Sequence, residues 1–165
     1  MRRIVCVVFI ILALVGTTGC SGKNANLKQP VNAYYCTTDI KYNAEDGVIK
    51  AELQDFYNFD GDIRGFLNKY LSGPKTDTLV SPYPLGGWVL RFEQTDNVID
   101  LTLNSNFSRL EPNELMLSYA CLCMTLFDLT DAETVNIYIS NTKPESNATT
   151  ITRDSLMLID RINTN

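Results

Sequence analysis

Hydrophobic and polar positions divide the chain into an apolar start and a longer patterned region. The apolar stretch Ile4–Val15 follows Met-Arg-Arg and leads into Gly16-Thr17-Thr18-Gly19-Cys20. As a helix it would cover about 18 Å, well short of the ~30 Å hydrocarbon core of a bilayer. Two cations, a short apolar segment, small residues and a cysteine are typical of a bacterial lipoprotein signal.

We therefore expect residues 1–19 to be a cleaved signal peptide and Cys20 to carry acyl chains such as palmitate. An ordinary secretory signal or an uncleaved anchor is the alternative, and both would also place the domain outside the cytoplasmic membrane. The polar residues that follow Cys20 lack periodicity, so 20–30 should be the lipidated cysteine and a flexible tether. Residues 31–165 are then long enough to form a single domain with a real core.

Two extended segments and an amphipathic helix open this domain. Val31–Cys36 is rich in β-formers, and a second extended segment, Val48–Leu53, follows an Asp-Gly turn signal. A helix capped by Asp60 or Asp62 should come next, with Gly73 and Pro74 ending it. Its apolar stripe repeats at helical spacing and comprises Ile63, Phe66, Leu67, Tyr70 and Leu71.

The second half predicts a hairpin, a buried helix and a further strand. In the first strand of the hairpin, Trp88, Leu90 and Phe92 alternate with Val89 and with polar residues. After a turn at Thr95-Asp96-Asn97, Ile99, Leu101 and Leu103 alternate with polar residues in the returning strand. A capping box at Ser108–Glu111, with Pro112 and Asn113 as competing starts, leads into a helix over Leu115–Phe127 that is apolar nearly all round. The remaining segments are a strand at Val135–Ile139, a polar loop at 140–150 and an apolar segment of unassigned type at Thr152–Ile159.

The element order predicts an α+β fold. A mixed or antiparallel sheet of about four to five strands should pack against two main helices, with the hairpin and the final strand sharing one sheet. Without Arg2 and Arg3, the chain keeps 12 basic and 19 acidic residues, a net charge of −7. This charge argues against nucleic acid as a partner and against electrostatic adhesion to anionic lipid, so membrane attachment should depend on the lipid.

The sequence offers no convincing catalytic or metal site. Histidine is absent, which removes Ser-His and Cys-His nucleophiles and the commonest zinc ligand. Cys121 and Cys123 would point about 200° apart on a helix, so we expect buried thiols rather than a metal or redox pair. A disulfide from Cys36 to one of them stays open.

The acidic residues also favour structural roles. Asp60-Gly61-Asp62 lacks the remaining ligands of a calcium loop, so helix capping explains it better. Glu93, Asp96 and Asp100 alternate with the apolar face of the hairpin and should face solvent instead of forming a catalytic pair. We expect no catalytic residues, no cofactor and no metal.

Several motifs together resemble the GerMN domain, the sporulation and spore germination domain. They are Phe66–Pro74 (FLNKYLSGP), Leu79–Pro84 (LVSPYP), Ile99–Phe107 (IDLTLNSNF), Thr125-Leu126 and Val135–Ile139 (VNIYI), and the resemblance covers about residues 31–141. It implies a non-catalytic module on envelope lipoproteins of Gram-positive bacteria, some of which act in sporulation, with a fold similar to ring-building motifs. This chain has a single copy and an acidic stretch at Asp39–Asp62, whereas the protein that names the family has two copies.

The loop over residues 73–87 and the adjoining tryptophan are the candidate interaction residues. Exposed aromatics and prolines are used at protein-binding rims, although core and loop packing also explains them. The residues concerned are Gly73, Pro74, Pro82, Tyr83, Pro84 and Trp88. We expect an interaction or scaffold module on the extracytoplasmic face of the membrane, meeting an envelope protein or itself. The alternative is a lipoprotein that captures a small molecule or cell-wall fragment in an aromatic-lined pocket.

Overall fold

The structure is a computed structural model and describes residues 30–38, 48–140 and 148–156. The predicted signal peptide, Cys20 and nearly all of the tether lie outside these residues, as do 157–159 of the last apolar segment. Along the described chain, two strands, a helix, three strands, a second helix and two further strands follow one another. The strands are β1 (Val31–Thr37), β2 (Ile49–Gln54), β3 (Leu79–Val80), β4 (Val89–Thr95), β5 (Val98–Leu103), β6 (Thr134–Ile139) and β7 (Thr149–Thr152), and the helices are α1 (Ile63–Tyr70) and α2 (Pro112–Leu129).

The strands form two sheets, which confirms the α+β class. A three-stranded antiparallel sheet has the order β2-β1-β3, and a four-stranded mixed sheet has the order β4-β5-β6-β7. The hairpin and the strand at residues 134–139 share the second sheet, as predicted. β5 and β6 pair in parallel, and α2 supplies the crossover that such a pair requires.

Helix α1 confirms the predicted apolar stripe. Ile63, Phe66, Leu67 and Tyr70 are all buried. The helix begins after Asp62, whose Oδ1 accepts a hydrogen bond from the Gly65 backbone N–H at 2.9 Å. This contact is the capping role that the sequence favoured over a calcium loop.

Helix α2 is the central helix, with nine buried side chains. It starts at Pro112, and the Glu111 backbone N–H donates to the Glu114 carboxylate at 3.1 Å. The competing start at Pro112 is therefore correct, and the Ser108 capping box is wrong. Ser108 instead lies in a 3-10 turn, Ser105–Arg109, where its hydroxyl donates to the Ser105 carbonyl at 2.7 Å.

The sequence-based prediction is wrong at the start of β4, and it missed β7. A β-bulge between Val89 and Arg91 inserts Leu90 into β4, so Val89 is buried while Leu90 faces solvent. Because side chains alternate along a strand, the bulge reverses the predicted faces of Val89 and Leu90, whereas Phe92 beyond it packs against the core as predicted. β7 begins in the last two residues of the predicted polar loop and ends at Thr152, where the segment of unassigned type starts. Its Ile151 is the buried residue that pairs with Val135 of β6.

Candidate interaction surface

A cluster of buried tyrosines holds both ends of the loop that follows α1. The Tyr35 hydroxyl donates to the carbonyls of Tyr70 and Gly73, at 3.0 and 3.2 Å, and accepts from the Gln54 side-chain amide at 3.0 Å. The Tyr83 hydroxyl is hydrogen-bonded to that of Tyr70. This cluster therefore ties β1, the end of α1 and the loop to one another.

The phenols of this cluster are neutral and structural. Burial is the main cause that raises the pKa of Tyr70 and of Tyr83 well above the ordinary value, and it also raises the pKa of Tyr35. The Tyr70 hydroxyl donates in turn to the Tyr34 carbonyl at 2.5 Å. A buried phenol with satisfied hydrogen bonds stabilises one arrangement of the chain around it.

A carboxylate fixes the first residues of the loop. Glu52 accepts hydrogen bonds from the backbone N–H groups of Lys75 and Thr76, at 3.0 and 2.8 Å, and from the Thr76 hydroxyl at 2.6 Å. Partial burial would raise the pKa of Glu52, but these hydrogen bonds and one from Gln54 outweigh it and lower the pKa. The loop is therefore held to β2 at its start and to the core at Tyr83.

The loop ends in a tight turn that presents a leucine. The Gly87 N–H donates to the Pro84 carbonyl at 2.8 Å, and Gly86 has a φ of +71°, as the third residue of a type II turn requires. The Asn106 side chain donates to the Gly86 carbonyl at 2.7 Å. Leu85, at the tip of this turn, is 100% exposed.

Trp88 follows the turn and borders a groove between α1 and the start of β4. The groove has a volume of about 560 Å³, and its lining includes Arg64, Asn68, Lys69 and Trp88. Asn68 closes the strand edge, since its side chain accepts from the Val89 N–H at 2.8 Å and donates to the Val89 carbonyl at 3.3 Å. Trp88 remains 52% exposed, and the Arg64 and Lys69 side chains beside it form no salt bridge within the described residues.

Leu85, Trp88 and Leu90, together with the cations Arg64 and Lys69, are called the turn surface below. Its three apolar side chains are all exposed. Among the predicted interaction residues, Trp88 lies on this surface, whereas Tyr83 is buried in the tyrosine cluster. Leu85 lies within the predicted loop at residues 73–87 but was not named individually, although a leucine between Pro84 and a Gly-Gly pair is a signal of an exposed turn.

The other predicted loop residues support the backbone. Gly73 has a φ of +112° just after α1, which only glycine adopts readily, and this fits its predicted role in ending the helix. Pro74, Pro82 and Pro84 are half-buried along the loop. They shape the path of the chain between α1 and the turn.

The described cysteines and acids form no metal centre. Cys36, Cys121 and Cys123 are free and buried, and no group of three or more candidate ligands is present among residues 30–38, 48–140 and 148–156. Within the same residues, no helix is long and apolar enough to cross a membrane.

Comparison with known proteins gave structural matches only. No family model matches the chain, and the search of curated proteins found no match. The tandem GerMN domains of the sporulation protein GerM from Bacillus subtilis align with 20% identity and a TM-score of 0.54, over 84% of this chain and 49% of that chain. A candidate lipoprotein from Clostridium perfringens aligns with 16% identity and a TM-score of 0.44, over 75% of this chain and 87% of that chain.

The chain thus spans about half the length of the GerM structure, which contains two domains in tandem. This structural match agrees with the resemblance found in the sequence. The chain has a GerMN-like fold.

Proposed function

We propose that this protein is a lipid-anchored, non-catalytic interaction module on the extracytoplasmic face of the cell membrane, with a role in sporulation or germination. The anchor is inferred from the signal pattern that ends at Cys20. The GerMN-like fold supports the developmental role, because the matched structure belongs to a sporulation protein. The turn surface supports the interaction role.

The observation that carries this proposal is the fully exposed Leu85 on a turn that the structure holds in place. Burying a leucine side chain contributes about 1.5–3 kcal/mol, and that free energy is available only to a partner because Leu85 has no neighbour to cover it. The turn is hydrogen-bonded to Asn106 and follows the buried Tyr83. A preorganised loop loses less conformational entropy on binding than a flexible one.

The charges on the turn surface indicate the chemistry of the partner. Arg64 and Lys69 are exposed beside Trp88, in a protein whose expected net charge after signal cleavage is −7. A protein segment that combines acidic and apolar residues would cover Leu85 and Trp88 and pair with both cations. We assign such a segment of another envelope protein as the occupant, and a second copy of this chain is the competing occupant.

Site-specific photocrosslinking in intact cells tests the proposal. A photoreactive amino acid is placed at Leu85 in the full-length protein, and the control position is Leu53, which is 64% exposed on β2 of the other sheet. A discrete adduct with another envelope protein is expected at position 85 and not at position 53. Loss of most of this adduct in Trp88→Ala is also expected, because tryptophan is a frequent interface hot spot worth about 2 kcal/mol or more.

An adduct between two copies of the chain would show that the turn surface binds a second copy of this protein and not another envelope protein. The absence of any adduct at position 85, or equal adducts at both positions, would contradict an interaction through the turn surface.

The groove beside Trp88 also gives a specific basis for the second candidate function, capture of a cell-wall fragment. Its volume lies within the range of small-molecule sites. The tyrosines that suggested an aromatic-lined pocket do not line it, since Tyr35, Tyr70 and Tyr83 are in the core. Trp88 is the only tryptophan of the chain, so its fluorescence reports directly on titration with muropeptides, and an unchanged signal would remove this candidate.

The anchor has its own test. Cys20→Ala in the full-length protein should abolish labelling by a fatty-acid analogue and reduce the share of the protein in the membrane fraction. Ser21→Ala is the matched control and should keep both. Persistent labelling of the Cys20→Ala variant would contradict lipidation at this residue.

A further inference from the structure

Helix α2 runs along one edge of β1, and its side chains take the place of a neighbouring strand there. The Asn32 N–H donates to the Asp128 carboxylate at 3.4 Å, and the Tyr34 N–H donates to the Thr125 hydroxyl at 3.0 Å. Two residues along a strand span about 6.6 Å, and three to four residues along a helix span about 5 Å. The contacts therefore recur at a similar spacing along β1 and α2, and the two elements run in opposite directions.

The next step of this register brings two cysteines together. Two residues beyond Tyr34 is Cys36, and one helical turn before Thr125 is Cys121. Both thiols are buried, and they lie close enough for each to shift the pKa of the other. The contact lowers the pKa of Cys36, whose thiolate would be stabilised by the Cys121 S–H, and together with burial it raises the pKa of Cys121.

Cys123 differs from this pair. It lies two residues further along α2, about 200° around the helix from Cys121. Burial alone raises its pKa, and neither Cys36 nor Cys121 contributes to that shift. Cys123 is therefore a matched control within the same helix.

We propose that Cys36 and Cys121 form a disulfide that joins β1 to α2 when the chain folds in the presence of a disulfide oxidant. The Cys36 thiolate attacks the disulfide of the oxidant, which forms a mixed disulfide and releases one thiol of the oxidant. The Cys121 thiol loses its proton and attacks the Cys36 Sγ, which releases the second thiol. Two electrons and two protons pass from the protein to the two sulfur atoms of the oxidant.

The burial of both sulfurs decides when the reaction takes place. A thiol must reach the oxidant as a thiolate, and neither side chain is accessible in the folded domain. Oxidation therefore belongs to folding, before α2 covers β1. Once formed, the bond would be shielded from reductants by the same burial.

The test uses the full chain, purified in detergent, unfolded with a reductant and refolded with either oxidised or reduced glutathione. After oxidised refolding, alkylation and proteolysis, a peptide pair linked through Cys36 and Cys121 is expected, with a mass lower by two hydrogens than the sum of the reduced peptides. Cys123 should be fully alkylated once the protein is unfolded. The oxidised form should melt about 10 °C above the reduced form, because the crosslink closes a long loop.

Single cysteine variants distinguish the pair Cys36 and Cys121 from Cys123. Cys123→Ala should keep the linked peptide and the melting shift, whereas Cys36→Ala should lose both. The peptide map of the unmodified chain decides the question even where a variant folds poorly. Alkylation of Cys36, Cys121 and Cys123 alike after oxidised refolding, or a link through Cys123, would overturn the proposal. Since the oxidant is supplied in the test, failure of the proposed anchoring would not change this result.

Discussion

The buried tyrosine cluster and the exposed turn surface lie on the same loop and have opposite chemistry. Tyr83 is in the core with its hydroxyl hydrogen-bonded, and two residues later Leu85 has its whole side chain in solvent. In the cluster the buried hydroxyl groups are hydrogen-bonded, whereas on the turn surface the apolar side chains are exposed to water. The cluster should therefore determine whether the domain folds, and the turn surface should determine what it binds.

Removing Tyr70 gives the largest expected effect. Tyr70→Ala leaves a cavity at the contact between α1, β1 and the loop, where the Tyr70 ring packs against Tyr35 and Tyr83 with centroids 4.9 and 5.2 Å away. We expect a loss of about 3–5 kcal/mol in the free energy of unfolding, measured by urea denaturation.

The control for this substitution is Tyr57→Ala. Tyr57 is 68% exposed, so its removal should change the free energy of unfolding by about 0.5 kcal/mol or less. Equal losses for the two variants would contradict a structural role specific to the buried cluster.

Removing one hydroxyl should cost less than removing a ring. Tyr83→Phe keeps the packing against Phe107 but deletes the hydroxyl bonded to Tyr70, and a loss of about 1–3 kcal/mol is expected. The difference in stability between the wild type and Tyr83→Phe should also change at high pH. Because the folded-state pKa of Tyr83 is raised, its contribution is complete below the unfolded value of about 10 and decreases as the pH rises above it.

Urea denaturation at pH 8 and at pH 11 measures this effect. The wild type should lose more stability over this interval than Tyr83→Phe does. An identical loss in both proteins would mean that Tyr83 does not contribute to the alkaline sensitivity.

The sequence predicts elements whose signal is local. The stripe from Ile63 to Tyr70 contains its own periodicity, and the all-round apolar character of residues 115–127 identifies the central helix. Both are confirmed because a helix is defined by contacts between residues three to four apart. The GerMN-like fold could be predicted since its motifs occur on these same elements.

The sequence does not reveal features that depend on distant partners. The bulge at Leu90 changes which residues of β4 are exposed, and β7 forms only because β6 offers Val135 to Ile151. The turn surface depends both on local sequence signals and on contacts between residues that are distant in the chain. Trp88 was a candidate from composition, but its exposure follows from the bulge, and the burial of Tyr83 follows from contacts with Tyr70 across the loop.

Gly86 connects the two regions, so a substitution there should affect binding more than folding. An added Cβ would lie 3.0 Å from the Asn106 Nδ2 atom that holds the turn, and the positive φ disfavours any residue with a Cβ. Gly86→Ala should cost about 1 kcal/mol of stability and should also displace Leu85.

The crosslink from position 85 should therefore decrease in Gly86→Ala by more than the stability loss explains. Its control, Gly65→Ala, lies at a capped helix start and alters the contact with Asp62 instead. A crosslink unchanged in Gly86→Ala would show that the turn geometry does not matter for binding.

The smallest expected effect is at Glu52, which holds the start of the loop but not its tip. Its folded-state pKa is lowered, so its contribution is present above the unfolded value of about 4.3 and decreases as the pH falls through the folded value. Glu52→Gln should lower stability at pH 7 by less than about 1 kcal/mol, because the glutamine oxygen can still accept some of these hydrogen bonds and solvent screens the charge of a side chain that is only half-buried. The difference from the wild type should shrink as the pH approaches 3, as measured by thermal denaturation at a series of pH values. If the difference stayed constant with pH, the carboxylate charge would not be what anchors Lys75 and Thr76, and the tyrosine cluster alone would position the turn surface.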